Sequence, residues 1–401
     1  MGTLRPKIAR LGGVLAAGMA LTLTLAACAG SSNNNSGGGG GGGGGATTIK
    51  IGFMGDLTGE NSAIVIPPRN GAKLAIEEYN AKNPQVKIEL VEYDSQGKPE
   101  QATSLVQKAI GQDKIVGLIG PAFSGESKAV GAQLEEGKIP SVSPSATNPG
   151  LAQNGWKYWH RVVANDADQG PGIANFLIKA KSPKTAFVIS DDQEYSVGIA
   201  DTVNQTFTSK GVTTQTDKFS QNASDYSSTV GKVKAANPDV IFYGGYYAQL
   251  GKLLKQLRDG GVTAPVASGD GSLDNQLVTA AGKPAAEGAV VGCPCSIPGS
   301  DATGELKSFF DKYKAKYNVD PAIYSTEGYD AATVFIKAAE AGKTDGTAIN
   351  DFIKTVSFEG ISKPVKFKDN GEPEANAIFI YQVKNGAVKL LGPAEEAKLE
   401  G

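Results

Sequence analysis

Histidine is almost missing from this 401-residue chain: His160 is the sole imidazole, and cysteine occurs only as Cys28, Cys293 and Cys295. Structural zinc sites are thereby excluded, because Cys293-Pro294-Cys295 has no second ligand pair to complete a tetrahedron. Nucleophile–imidazole devices need a histidine beside the attacking atom. His160 sits between Trp159 and Arg161 on an expected strand and follows the serines upstream only in sequence. No Walker loop and no G-x-G-x-x-G follows a strand, which leaves nucleotide chemistry without support. An excess of positive charge is lacking too: 39 Lys and Arg face 41 Asp and Glu. That balance argues against a nucleic-acid partner and against a basic membrane-binding face. Lys312, Lys314 and Lys316, interleaved with Tyr313 and Tyr317, share a helical stretch with Glu305 and Asp311 and read as a solvated face. Asp191 and Asp192 read likewise as solvated loop acids, and no fixed-period repeat marks a solenoid.

Long apolar runs are absent except at the start. Arg5, Lys7 and Arg10 precede an uncharged run over residues 11–27, slightly short for a membrane-spanning helix. The pattern is that of a signal peptide. Leu25-Ala26-Ala27-Cys28 resembles the lipobox of bacterial lipoproteins. The resemblance implies removal of residues 1–27, diacylation of Cys28 and a lipid anchor on the outer face of a bacterial cell membrane. Each buried methylene of such an anchor contributes about 0.8 kcal/mol. The alternative is an ordinary secretory signal with an incidental cysteine. Residues 28–46, Gly-, Ser- and Asn-rich with nine consecutive glycines, form a tether without apolar side chains able to build a core. A flexible coil of that length spans roughly 23 Å. Without the three cations of the leader, the formal charge of −2 becomes −5.

What remains has ordinary globular composition, 40% hydrophobic and 20% charged. Apolar runs alternate with amphipathic segments. Strands are predicted over 49–54, 86–93, 115–119 and 139–142, with helices over 70–80, 99–110 and 124–135. A second series predicts strands over 185–190, 212–216, 240–243 and 265–267, with helices over 197–209, 226–236 and 247–259. Repeated β-then-α units imply parallel sheets flanked by helices. Two series separated by the polar stretch 165–171 imply two lobes. Ligands of open parallel sheets lie beyond the carboxyl ends of the strands, and two facing lobes place the site between them. The strand-end segments of the first series carry hydroxyls at Ser124, Ser143, Ser145 and Thr147. Those of the second carry Tyr195, Tyr243, Tyr246, Tyr247 and Asp270. Ser124 opens a helix, whose free N–H groups suit a carboxylate.

These segments resemble, in order, those of the leucine/isoleucine/valine-binding proteins, the type I periplasmic solute-binding components of branched-chain amino acid ABC importers. The likeness runs through Gly120-Pro121-Ala122-Phe123-Ser124, Ser143-Pro144-Ser145-Ala146-Thr147 and Asp168-Gln169-Gly170-Pro171. It continues in Asp191 to Tyr195 and in Tyr243-Gly244-Gly245-Tyr246. The resemblance implies an α/β fold of two Rossmann-like lobes joined by a multi-strand hinge, closing like a Venus flytrap. One lobe would take 47–165 and 293–372, the other 166–292 and 373–395. It implies a non-enzymatic function: capture of a small amino acid and its delivery to importer membrane subunits, without a cofactor or metal.

Carried over by position, Ser124 and Thr147 are expected to hold an α-carboxylate. Ser145, beside Ala146, would offer a backbone carbonyl to the α-ammonium, and Asp270 would pair with that ammonium. Tyr195 and Tyr246 would close from the second lobe, while Ile64, Phe123 and Tyr324 would wall the side-chain pocket. The leucine-binding relatives have Glu where Asp270 stands and an aromatic where Ile64 stands, and some carry a disulfide at the positions of Gly97 and Phe123. Cys293 and Cys295 are expected near a hinge crossing, either joined as a disulfide or as free buried thiols. An amide, urea or aromatic acid on the same scaffold, and ligand sensing for a signalling receptor, stand as alternatives.

Overall fold

The computed structural model describes residues 46–400; Cys28, the leader and most of the tether lie outside them. Five strands form the first sheet: β1 (Thr47–Gly55), β2 (Val86–Asp94), β3 (Gly117–Ile119), β4 (Ser141–Ser143) and β5 (Trp159–Arg161). Their order is β2-β1-β3-β4-β5 and every pairing is parallel. Between them run α1 (Ile66–Asn80), α2 (Pro99–Lys108) and α3 (Ser124–Glu136). Side chains of β1 alternate in direction, as the two-residue repeat demands. Ile51 and Phe53 join the apolar cluster that contains Ala72 and Ala75 of α1. Met54 joins the one with Ala102 and Val106 of α2 and Val130 of α3. A central parallel strand covered on both faces therefore reads as a nearly unbroken apolar run.

The second sheet begins after α4 (Asp166–Lys181). It contains β6 (Thr185–Ser190), β7 (Thr213–Lys218), β8 (Val240–Gly244), β9 (Val266–Ser268) and β10 (Val290–Cys293). Its helices are α5 (Glu194–Ser209), α6 (Ser227–Ala236), α7 (Tyr247–Asp259), α8 (Gln276–Ala281) and α9 (Lys283–Ala286). The chain then returns to the first lobe through α10 (Gly304–Tyr317), α11 (Ser325–Glu340) and α12 (Gly346–Ile353). The small hairpin β11 (Ser357–Glu359) and β12 (Pro364–Lys366) follows. It finally completes the second sheet with β13 (Phe379–Lys384) and β14 (Ala387–Pro393). That sheet runs β14-β13-β10-β9-β8-β6-β7, parallel except for the β10–β13 and β13–β14 pairings. Three segments thus pass between the sheets, at 162–165, 294–303 and 367–378. Helix α11 docks on α1 through glycines: a Cβ on Gly71 would collide with the Ser325 carbonyl oxygen, and one on Gly328 with that of Pro68.

Three details differ from the sequence reading. The polar stretch 165–171 that separates the two series starts a helix: Asn165 caps α4, its side chain accepting from Ala167 N–H at 2.7 Å, and Pro171 lies inside the helix. Helix α1 begins at Ile66 rather than 70, because Pro67 and Pro68 occupy the first turn, where no N–H is needed. Asp191 is fully buried, accepting from Tyr243 Oη at 2.8 Å and Gln193 N–H at 2.9 Å, whereas Asp192 is exposed. The lysine cluster pairs with acids of the neighbouring elements, Lys312 with Glu78 at 3.0 Å, Lys316 with Glu77, and Lys314 with Asp320 at 2.8 Å. The Cys293 and Cys295 sulfurs are bonded to each other at the end of β10, both side chains buried.

Candidate functional site

The carboxyl ends of β3 and β4 face those of β6, β8 and β9 across a cavity. Ile64, Ala122, Phe123, Ser124, Ser145, Tyr195, Tyr246, Asp270 and Tyr324 line it. The enclosed space is about 10 Å³, room for a single water-sized sphere, so a solute can enter only when the walls part. A roomier hollow of about 530 Å³ lies between α4 and the β13–β14 hairpin. None of its lining residues comes from the facing strand ends, where α/β folds place their ligands.

One wall is built of donors. Helix α3 begins at Ser124, and its first-turn N–H groups have no intrahelical acceptor. Glu126 reaches back to accept from Phe123 N–H at 3.2 Å, while Ser95 Oγ donates to its other oxygen. Phe123, not Ser124, occupies the cap position, so the Ser124 hydroxyl is no cap. Its oxygen accepts from Asn148 N–H at 3.2 Å, leaving its proton available to the cavity. Ser145 Oγ is committed to the Ala122 carbonyl at 2.8 Å. Thr147 and Ala146 are buried but sit behind the lining, and the Thr147 hydroxyl lies toward the Asp166 carboxyl without a hydrogen bond of ordinary geometry.

The opposite wall centres on Asp270. Three donors hold its carboxylate: Gln169 Nε2 at 2.8 Å, Tyr195 Oη at 2.9 Å and Tyr324 Oη at 2.7 Å. Burial pushes this carboxyl above the ordinary carboxylate range, although the three hydrogen bonds oppose the shift. The phenols of Tyr195, Tyr246 and Tyr324 are all pushed well up, first by burial and next by a neighbouring carboxylate. The ring of Tyr246 is 5.1 Å from that of Tyr195 and 4.9 Å from that of Phe123, so aromatics from both lobes meet over the cavity.

Four further residues escaped the sequence reading. Asp166, the first residue of α4, is fully buried, and neither carboxylate oxygen accepts an ordinary hydrogen bond among the described residues. Burial, and then the charge of Asp270, raise its carboxyl well above the normal range; Thr147 and Arg161 oppose the shift. Gln169, also on α4, ties two parts of the second lobe together by donating to Asp270 and to the Gly292 carbonyl at 2.9 Å. Arg161, fully buried at the end of β5, sends Nη1 to the carbonyls of Ala146 at 2.8 Å and Asn148 at 3.0 Å. Its remaining face grips Glu372 through Nη2 and through Nε at 3.0 Å, and its plane lies 4.8 Å over Trp159. Because a trans peptide points C=O and N–H oppositely, drawing the Ala146 carbonyl toward Arg161 turns the Thr147 N–H away from it. Only the run Asp168-Gln169-Gly170-Pro171 hinted at this neighbourhood in the sequence. His160 packs its ring 5.4 Å from Phe367, with burial pulling its pKa down to about 4, and it touches no cavity serine.

Two α/β lobes that shut on a small cavity, donors on one wall and a carboxylate on the other, define a hinged binding protein of the type I class. The chain belongs to the periplasmic binding protein family, whose model matches residues 48–387. It is 28% identical over 349 residues to a leucine-, isoleucine-, valine-, threonine- and alanine-binding protein of Pseudomonas aeruginosa, covering 86% of this chain and 92% of that one. Among solved structures it is similar to the leucine-binding protein LivK of Thermotoga maritima, with TM-score 0.80 and 30% identity over 86% of this chain and 98% of that one. It is likewise similar to the branched-chain amino acid transporter substrate-binding protein LivJ of Streptococcus pneumoniae in complex with isoleucine. There the TM-score is 0.77 and the identity 28%, covering 86% of this chain and 100% of that one.

Proposed function

We propose that this protein is an extracytoplasmic solute-binding protein, not an enzyme. It captures a free amino acid of the branched-chain type by lobe closure and hands it to the membrane subunits of an ABC importer. A lipid on Cys28 and the glycine-rich tether would keep it at the outer face of the membrane. The observation that carries this reading is the placement of Ser124 and Asp270, from opposite lobes, on one closed cavity. An amino acid is a zwitterion whose two poles need opposite partners. Ser124, the first-turn N–H groups of α3 and the Thr147 N–H would take the carboxylate; the Ser145 carbonyl and Asp270 would take the ammonium. Neither lobe satisfies both poles, so binding free energy accrues mainly on closure. Ile64, Phe123 and Tyr246 would bury the side chain, worth roughly 1.5–3 kcal/mol for an aliphatic residue. A methylene more or less changes binding by only about 1–3 kcal/mol, so discrimination among leucine, isoleucine and valine is expected to be modest. The names of the relatives point the same way.

The test is calorimetry with leucine and with its deaminated keto acid, which keeps the carboxylate and side chain but lacks the ammonium. Asp270→Ala is expected to abolish leucine binding while leaving keto-acid binding within a few-fold of the unaltered protein. Equal loss of both, or retention of leucine, would remove the ammonium role from Asp270.

A further inference from the structure

We propose that Phe123 is the specificity-determining wall of the cavity: its ring sets the length of side chain accepted by separating the site from polar spaces at the mouth of the cleft. The inference rests on the amino-acid reading above and adds to it the residue that limits the ligand. With the poles of the ligand assigned to Ser124, Thr147, Ser145 and Asp270, and with Tyr195 and Tyr324 bonded to Asp270, the walls left for a side chain are Ile64, Ala122, Phe123 and Tyr246. Of these, Phe123 alone also lines both outer spaces, one of about 260 Å³ and one of about 450 Å³.

Those spaces are chemically unlike the cavity. Gln193 and Gln221 line both, beside charges of both signs: Lys128 and Glu194 in the smaller, Lys98 and Glu100 in the larger. The Phe123 ring, 7% exposed and leaning on Tyr246 at 4.9 Å, stands between the two chemistries. Its position depends on Gly97, which lines both outer spaces. Gly97 has φ +68°, and a Cβ there would come 3.2 Å from Phe123 Cε2. The wall is therefore one removable ring, seated against a residue without a side chain. Carboxamides offer a donor and an acceptor each, and both spaces set a lysine beside carboxylates, so they suit a polar group that donates and accepts without net charge, such as an amide or a ureido group at the end of a longer side chain.

Binding of L-leucine and L-citrulline to the full protein, Phe123→Ala and Phe123→Leu tests this by calorimetry, with thermal melts confirming that each variant is folded. The unaltered protein is expected to take leucine and reject citrulline. Phe123→Ala is expected to lose roughly tenfold for leucine and gain at least about tenfold for citrulline, in line with the modest discrimination an apolar wall supplies. Gln221→Ala in the Phe123→Ala background should remove most of the citrulline gain. Phe123→Leu, which keeps an apolar plug, should retain the original preference. A folded Phe123→Ala protein whose leucine-to-citrulline ratio is unchanged overturns the proposal. If Phe123→Ala does not fold, a Gly97→Ala protein that shows no change in leucine affinity overturns it instead, because the added methyl must push on the ring. Should the unaltered protein bind no free amino acid, the proposed function itself falls, which is a different result from an unchanged ratio.

Discussion

At the scale of single residues, the decisive chemistry is that of buried charge. Arg161 is inaccessible to water and its ion-pair partner Glu372 is nearly so. Such a pair is weak evidence for added stability as a whole, yet removing one partner strands the other and typically costs about 3–5 kcal/mol. Arg161→Met is therefore expected to lower unfolding free energy by about that amount in urea titrations. A loss under about 1 kcal/mol would mean that Glu372 finds water or a proton instead. Because the same guanidinium holds the carbonyls of Ala146 and Asn148, the variant should also lose leucine affinity. Glu372→Gln, which keeps hydrogen-bonding capacity, should lose less of both. Glu372 enters from the segment that crosses back to the second lobe, so the 146–148 loop and that crossing share one strut.

At the scale of elements, helix α3 shows how an N-terminus is prepared for an anion and what that arrangement costs. Its third residue, Glu126, is fully buried, and burial raises its carboxyl to about 7 from an ordinary 4.5. The folded protein thus holds the proton where the unfolded chain releases it. The resulting stability is present in full below pH 4.5, falls as pH rises toward 7, and stays low above that. The difference amounts to a few kcal/mol, because each tenfold change in proton affinity is worth about 1.4 kcal/mol. Glu126→Gln, uncharged and still able to accept from Phe123 N–H, should melt higher than the unaltered protein at pH 8 and nearly equally at pH 4.5. Identical gains at both values would show that the carboxyl is not the group responsible. An acid whose proton neutralises it beside the turn proposed to hold the ligand carboxylate also spares that turn a repulsive charge.

At the scale of the whole molecule, the lobes meet through few polar contacts. Glu60 receives Lys252 Nζ at 2.8 Å and Gln249 Nε2 at 3.1 Å, and its carbonyl receives Tyr247 Oη at 2.7 Å. Lys128 pairs with Glu194 at 2.9 Å, and Asn148 Nδ2 donates to the Glu194 carbonyl at 2.8 Å. Exposed ion pairs of this kind contribute about 0–1 kcal/mol each. They can bias closure without locking it, which suits a protein that must release its cargo. Leucine is expected to reduce the radius of gyration seen by small-angle scattering. Glu60→Ala should weaken affinity by less than about tenfold while leaving the liganded radius unchanged. No contraction on adding a ligand that demonstrably binds would exclude hinge closure as the binding step.

Much of this architecture was legible along the chain. Period-two and helical patterns depend on neighbours two to four residues apart, and the strand-end turns from Gly120 to Thr147 and from Tyr243 to Asp270 stand where β/α alternation predicts them. Boundaries failed where local chemistry admits two outcomes. The polar run 165–171 carries no apolar period by which to read a helix, and Asp191 suits a wet loop as well as a hydrogen-bonded interior. Asp166, Arg161 and Glu372 left no readable trace and Gln169 only a motif without a role, because each acquires its role from remote partners, as far as 211 residues away for Arg161 and Glu372. Composition and order in the chain were enough for two parallel-sheet lobes with hydroxyls on one and an acid on the other. Which buried carboxylate goes unpaired, which arginine braces the 146–148 loop, and which ring closes the cavity depended on how three crossings bring remote segments within hydrogen-bonding distance. No local repeat encodes that arrangement.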